Sequence, residues 1–165
     1  MISEALRTKM KRIRESASNQ FEQHEQACNE IRKENAVLLT EFADWMRQQG
    51  VSERTVGMHL SNAAFYIQEF LLYEQPLRPQ DGSGSIEMYL GYWFIRKGPI
   101  ATPGTVKSTA TSLIKFYSFL VENGSVTAGQ LEAMRKTIKA GMPRMQERAR
   151  RYNDPTISDP GMIWI

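Results

Sequence analysis

The 165-residue sequence contains a single cysteine, Cys28. With one cysteine, the chain can form no internal disulfide and no cysteine-based metal site. Nowhere do about 18 apolar residues follow one another, and the first residues lack the apolar core of a signal peptide. These absences favour a reducing compartment, and we expect a cytoplasmic protein.

Histidine is also scarce, because His24 and His59 are the two in the chain and lie far apart. A zinc pair is therefore the poorer interpretation, and we expect neither a metal nor a cofactor. Residues 81–85, Asp-Gly-Ser-Gly-Ser, lack the lysine of a phosphate-binding loop and a strand before it. That stretch indicates a flexible turn.

What is present is typical of a folded domain, with 41% hydrophobic and 24% charged residues. The net charge is +3, but it is unevenly distributed. Residues 35–75 hold two Lys or Arg against five Asp or Glu, and the positive excess lies in the last two-fifths of the chain. The acidic middle segment argues against a simple basic patch.

Apolar residues at helical spacing divide the chain into three parts. Residues 1–34 predict one long amphipathic helix, residues 35–141 a helical domain, and residues 142–165 a basic segment with an irregular tail. The stripe of the first helix is narrow, which suits packing against one neighbour, either the domain itself or a second copy of the chain. Its members are Leu6, Met10, Ile13, Ala17, Phe21, His24, Cys28 and Ile31.

The domain is predicted to be all-α, a compact bundle of about five helices. Its helices are expected at residues 36–49, 52–74, 86–95, 103–123 and 127–140, the last ended by Gly141 and Pro143. Residues 86–95 are apolar nearly all round and resemble a buried strand, but no partner strand exists elsewhere in the sequence. We therefore expect a short central helix there.

The best-defined helix lies between Thr102 and Gly124. Thr102 suits an N-cap, Pro103 the first helical position, and Gly124 a left-handed C-terminal residue. Its buried stripe is predicted from Val106, Ala110, Leu113, Tyr117, Leu120 and Val121. A similar capping box at Thr127 and Gln130 opens the helix that follows.

Two segments carry a resemblance to a known family. Residues 113–120, Leu-Ile-Lys-Phe-Tyr-Ser-Phe-Leu, resemble the fourth helix of the core-binding domain (SAM-like) of tyrosine recombinases, the phage-integrase family. Residues 42–61, from Phe-Ala-Asp-Trp through Gly-Val-Ser-Glu-Arg-Thr, resemble its first helix, turn and second helix. The resemblance covers roughly residues 36–140.

The resemblance implies double-stranded DNA binding through the second and fourth helices of that domain. The matching positions are Arg54, Thr55, His59, Lys107, Ser108, Thr111 and Lys115. Outside the resemblance, the basic C-terminal segment offers Arg148, Arg150 and Arg151 as sequence-independent phosphate contacts. A solvated helix face and a solubilising tail are the alternative interpretations of these cations. The chain also departs from the family, since its second helix has His59-Leu60-Ser61 where basic residues are usual.

The same resemblance implies a role in DNA recombination or integration without catalysis by this chain. The family's catalytic domain carries arginines, a lysine, histidines and a tyrosine nucleophile, and about 25 residues follow the last matching helix here. We therefore expect no enzyme, but either a fragment of a longer recombinase or a stand-alone relative, associated with the nucleoid if it binds DNA.

The alternative is a protein-interaction module that keeps the fold without the DNA surface. It would self-associate through the N-terminal helix, by Leu6, Met10, Ile13, Ala17, Phe21, Cys28 and Ile31. With His24 at the centre of such a seam, self-association is expected to weaken below about pH 6.5, where imidazole becomes charged.

Overall fold

The computed structural model describes residues 3–165, which contain five helices and no strand. They are α1 (Glu4–Gln48), α2 (residues 53–70), α3 (residues 86–97), α4 (Pro103–Glu122) and α5 (Ala128–Tyr152). The predicted all-α bundle of about five helices is confirmed. Residues 1 and 2 of the predicted first helix lie outside the described part of the chain.

Helix α1 runs without interruption for 45 residues. Two separate helices with a break near residue 35 were predicted, and that prediction is wrong. Residues 33–37, Lys-Glu-Asn-Ala-Val, contain neither glycine nor proline, so nothing local stops the helix. Asn35 does not cap a second helix, because its buried amide donates to the carbonyl of Ile67 at 3.1 Å and to the side chain of Gln68 at 3.0 Å.

The two ends of α1 have different environments. Every residue from Glu4 to Gln23 is exposed, whereas Cys28 and Ile31 are buried against Leu72. The first contact with the rest of the protein is at His24, whose Nε2 lies 3.0 Å from the carbonyl oxygen of Glu74. Residues 4–23 therefore form a free helical arm about 30 Å long.

The C-terminal part of α1 and all of α2 form an antiparallel hairpin on which α4 packs. Gly50 makes the turn between them with φ +78°, a left-handed conformation that favours glycine. Phe42 of α1 is fully buried against Phe116 of α4, with ring centroids 5.2 Å apart. The core is centred on α4, whose Leu113 and Leu120 are also fully buried.

Residues 86–97 form a helix, as expected, and not a strand. Its middle, Tyr89–Trp93, has π-helical geometry, as does Phe65–Phe70 at the end of α2. The two wider segments pack against each other, with the rings of Phe70 and Tyr89 4.9 Å apart. Buried aromatic pairing therefore places α3 between α2 and α5.

Helix α5 continues to Tyr152, so the predicted end at Gly141 and Pro143 is wrong. The apolar stripe that begins at Met134 and Ile138 extends beyond the proline through Met145 and Ala149, both fully buried. Burial of that extension outweighs the local cost of the proline ring. The residues that follow, 154–165, are mostly irregular with one 3₁₀ turn at Pro160–Ile163.

None of the helices in residues 3–165 is both long enough and apolar enough to cross a lipid bilayer.

Candidate nucleic-acid interface

Helices α2 and α4 begin with well-formed caps. Ser52 accepts the backbone N–H of Thr55 at the start of α2, and Thr102 accepts that of Thr105 at the start of α4. The hydroxyl oxygen of Thr105 in turn accepts the backbone N–H of Thr102, which completes a capping box. The predicted starts of both helices, Ser52 and Thr102–Pro103, are confirmed.

A polar contact joins α2 to α4 where the helices meet. His59 Nδ1 lies 2.8 Å from the hydroxyl oxygen of Ser112, and the amide of Asn62 donates to the same oxygen at 2.9 Å. The Ser112 hydroxyl itself donates to the carbonyl of Ser108 at 3.1 Å. Since that hydroxyl accepts from both partners, the arrangement fits a neutral imidazole with its proton on Nδ1.

The position of His59 corrects its assignment as a DNA contact. The residue is only 7% exposed, and its ring belongs to the packing between α2 and α4. Burial first, and the charge of Lys115 second, hold the pKa of His59 below its ordinary value. The sequence did not reveal this burial, because the residue lies at the edge of the apolar stripe of α2.

The lowered pKa of His59 predicts acid sensitivity. In the unfolded chain the imidazole takes up a proton near pH 6.5, but in the folded protein burial makes this protonation less favourable. The contribution of the neutral His59 ring to the free energy of unfolding is therefore fully present above about pH 6.5 and decreases as the pH falls below it. The melting temperature of the wild type should decrease between pH 7.5 and 5.5, while that of His59→Gln should change less. Carboxylates with a lowered pKa, such as Glu34 and Glu53, also stabilise the folded protein, but that stabilisation is lost only below about pH 4.5. Equal pH profiles for the two proteins would contradict the neutral, buried ring.

The predicted outer stripe of α4 is divided between two environments. Lys107 is exposed, whereas Lys115 is half-buried, with its ammonium 3.2 Å from the side-chain oxygen of Gln49 and 5.2 Å from the ring centroid of Trp45. The Trp45 ring and the Gln49 amide hold Lys115 in place without neutralising its charge. Gln49 and Trp45 are neighbours that the sequence did not assign to this surface.

Acidic groups are few along α2 and α4, although Glu122 at the end of α4 accepts from the ring N–H of Trp45. No Asp or Glu occurs in residues 54–64 of α2 or in residues 103–121 of α4. Glu53, at the start of α2, is paired with Arg47 at 2.7 Å, while Arg54 beside it is exposed. Although residues 35–75 are acidic as a whole, these parts of the two helices carry only positive charge.

The hydroxyl groups predicted to contact phosphates already make local bonds. Ser108 and Thr111 donate to backbone carbonyls of the preceding turn at 3.2 and 3.1 Å. The hydroxyl of Thr55 is half-buried and lies 3.0 Å from that of Ser52. Each would have to rotate before it could donate to a phosphate oxygen.

The arginines predicted as phosphate contacts near the C-terminus are folded onto the protein. Arg148 is half-buried and donates to the carbonyls of Gly91 at 3.2 Å and Trp164 at 3.0 Å, so we correct its assignment. Arg150 and Arg151 both pair with Glu147, at 2.6 and 3.2 Å. This segment is therefore part of helix α5 and not the solubilising tail of the alternative interpretation, and two of its arginines share one carboxylate.

The geometry therefore places Arg54 on α2 and Lys107 and Lys115 on α4, two helices that contact each other through His59 and Ser112, whereas the C-terminal arginines belong to α5. Such a surface can attract an extended polyanion, which carries several negative groups along its length. Comparisons of the chain with protein-family models, with curated proteins and with solved structures found no match.

Proposed function

We propose that the protein binds double-stranded DNA through the surface formed by α2 and α4. One observation carries the proposal: the exposed parts of these helices carry Arg54, Lys107 and Lys115 and no acidic residue from 54 to 64 or from 103 to 121. A polyanion gains from such a surface because no carboxylate within it repels phosphates.

The resemblance of residues 36–140 to the core-binding domain of tyrosine recombinases supports the same surface. In that family, the helices that match α2 and α4 lie in or beside the major groove. The larger process would then be DNA recombination or integration, with the protein acting as a non-catalytic DNA-binding domain or as its stand-alone relative.

Phosphate contacts are expected to dominate the affinity. Base readout requires donors and acceptors that reach the groove, but the hydroxyls here are bonded locally and His59 is buried. Three cations that neutralise three phosphates give a slope of about −3 for log K against log salt concentration. Binding should therefore be weak, salt-sensitive and largely independent of sequence.

The test is fluorescence anisotropy of a labelled random-sequence duplex titrated with the protein at several salt concentrations. We expect micromolar binding at low salt for the wild type, and binding at least about tenfold weaker for Lys107→Glu,Lys115→Glu. The slope against salt should fall by about two in that variant. Because Lys115 also packs on Trp45, Lys107→Glu alone and Arg54→Glu should each weaken binding in a fold left intact.

The matched control is Lys136→Glu,Lys139→Glu, which makes the same charge change on the exposed surface of α5. Its affinity should stay within about twofold of the wild type once salt is present, because charges beyond a Debye length of about 10 Å are screened. Equal losses in the two double variants would show that net charge alone is responsible. No binding by the wild type at low salt would overturn the proposal.

A second candidate function, a protein-interaction module, is favoured by a different observation. Residues 4–23 extend from the bundle with an apolar stripe that nothing covers among the described residues, and Phe21 is 65% exposed. A stripe of this kind is uncommon on a helix that has no partner.

A further inference from the structure

The free arm presents an apolar stripe that ends where the bundle begins. Leu6, Ile13 and Phe21 are 46%, 59% and 65% exposed, and Met10 and Ala17 lie between them on the same side of the helix. The stripe continues in sequence to Cys28 and Ile31, but the bundle covers those two residues. They were predicted to belong to a self-association surface, and their burial against Leu72 removes them from it.

The charges of the arm are segregated along its length. Residues 4–14 carry five cations, Arg7, Lys9, Lys11, Arg12 and Arg14, against Glu4 alone. Residues 15–23 carry two carboxylates, Glu15 and Glu22, and no Lys or Arg. The far end of the arm is therefore basic and the end beside the bundle is acidic.

Charge segregation of this kind selects the orientation of a partner helix. In a parallel pair of arms, five cations would lie beside five cations and two carboxylates beside two carboxylates. In an antiparallel pair of the same arms, each basic half lies along an acidic half. The partner whose charge pattern complements this arm is thus a second arm in the opposite direction.

We propose that two copies of this chain associate through their arms as an antiparallel helical pair. Leu6 of one copy packs near Phe21 of the other, Met10 packs near Ala17, and the two Ile13 side chains meet near the two-fold axis. This register uses the whole free stripe of both copies. It also places the start of each arm next to the bundle of the other copy, where His24 contacts Glu74.

The positions of the charges along the axis agree with this register. With Leu6 opposite Phe21, Arg7 lies opposite residue 20, which is about 3 Å along the axis from Glu22 of the other copy. Lys11 lies opposite residue 16, one residue from Glu15 of the other copy. The basic half of each arm thus lies beside the two carboxylates of the other arm.

His24 is not at the centre of this pair. It lies where the arm meets the bundle and contacts the Glu74 carbonyl of its own chain. The structure thus corrects the prediction of a seam centred on His24, and acid-induced dissociation is not a consequence of the proposal.

Sedimentation equilibrium of the full chain tests the association. We expect a monomer–dimer equilibrium for the wild type and a dissociation constant at least tenfold higher for Ile13→Glu. Asn19→Glu is the matched control, because it adds the same charge on the opposite side of the arm and should shift the constant by less than about threefold. A wild type that stays monomeric at the highest measurable concentration overturns the proposal, as do equal effects of the two variants.

Charge reversal tests the orientation. Arg7→Glu,Lys11→Glu and Glu15→Lys,Glu22→Lys should each weaken self-association about tenfold, and the variant with all four changes should recover the wild-type constant. A parallel pair gives a different result, in which the first variant binds the wild type more tightly than either binds itself; that result overturns the proposed orientation. All substituted residues are exposed, so at concentrations where the wild type and the variants are monomeric, circular dichroism should show the same melting temperature for the bundle. The outcome does not depend on DNA binding.

Discussion

Phe42→Ala should destabilise the protein by about 3–5 kcal/mol, the usual cost of removing a fully buried phenylalanine. Phe42 is 0% exposed, and its ring lies 5.2 Å from that of Phe116 and 5.6 Å from that of Phe119. It is the point at which the C-terminal part of α1 packs against the central helix α4. The melting temperature should fall by on the order of 10 °C for a chain of this length.

Val37→Ala is the control for this prediction. Val37 lies on the same helix but is 58% exposed, so its truncation should change stability by less than about 0.5 kcal/mol. Urea unfolding followed by circular dichroism measures both variants. A loss of under about 1 kcal/mol for Phe42→Ala would contradict the packing of α1 on α4.

Pro143→Ala should stabilise the protein by about 2 kcal/mol. Pro143 is exposed and lies inside the continuous helix α5, where it lacks the N–H that would bond to the carbonyl of Lys139. An interior proline costs about 3 kcal/mol relative to alanine, and about 1 kcal/mol of that is offset because proline restricts the unfolded chain. Thermal and urea unfolding should both show the gain.

Pro103→Ala separates this effect from a general consequence of losing a proline. Pro103 occupies the first turn of α4, where its missing N–H would have no helical partner. Its replacement should reduce stability by up to about 1 kcal/mol, opposite in sign to Pro143→Ala. If Pro143→Ala is destabilising too, then the packing of α5 on either side of the proline requires its ring.

Much of the fold follows from local sequence signals. The caps at Ser52, Thr102 and Thr127 set the starts of α2, α4 and α5, and the left-handed Gly50 and Gly124 set the ends of α1 and α4, to within a few residues. These signals are predictable because each one satisfies backbone groups within a single turn. The two errors in helix boundaries have different causes. Near residue 35 the sequence contains no residue that stops a helix, whereas near residue 141 the preference of Gly141 and Pro143 to end the helix yields to the burial of Met145 and Ala149.

The candidate DNA surface was less predictable. Arg54 on α2 and Lys107 and Lys115 on α4 remain candidates for this surface, but His59 and Arg148 make structural contacts. Both carry polar groups at the edge of an apolar stripe, and such a position does not reveal whether a neighbouring helix will cover it. The absence of acidic residues from 54 to 64 and from 103 to 121 was available in the sequence. That absence indicates a shared surface only once the structure shows that the two segments pack against each other.

The sequence by itself determined the helical class, most helix ends and the charge pattern of the arm, because these depend on neighbours within one or two turns. Only the tertiary structure decided which part of the first apolar stripe is covered. Leu72 and Glu74, distant in sequence, meet α1 at residues 24–31 and leave residues 4–23 free. The apolar residues have the same helical spacing in residues 4–23 and in residues 24–31. The two parts differ in burial because the bundle extends along α1 only as far as residue 24.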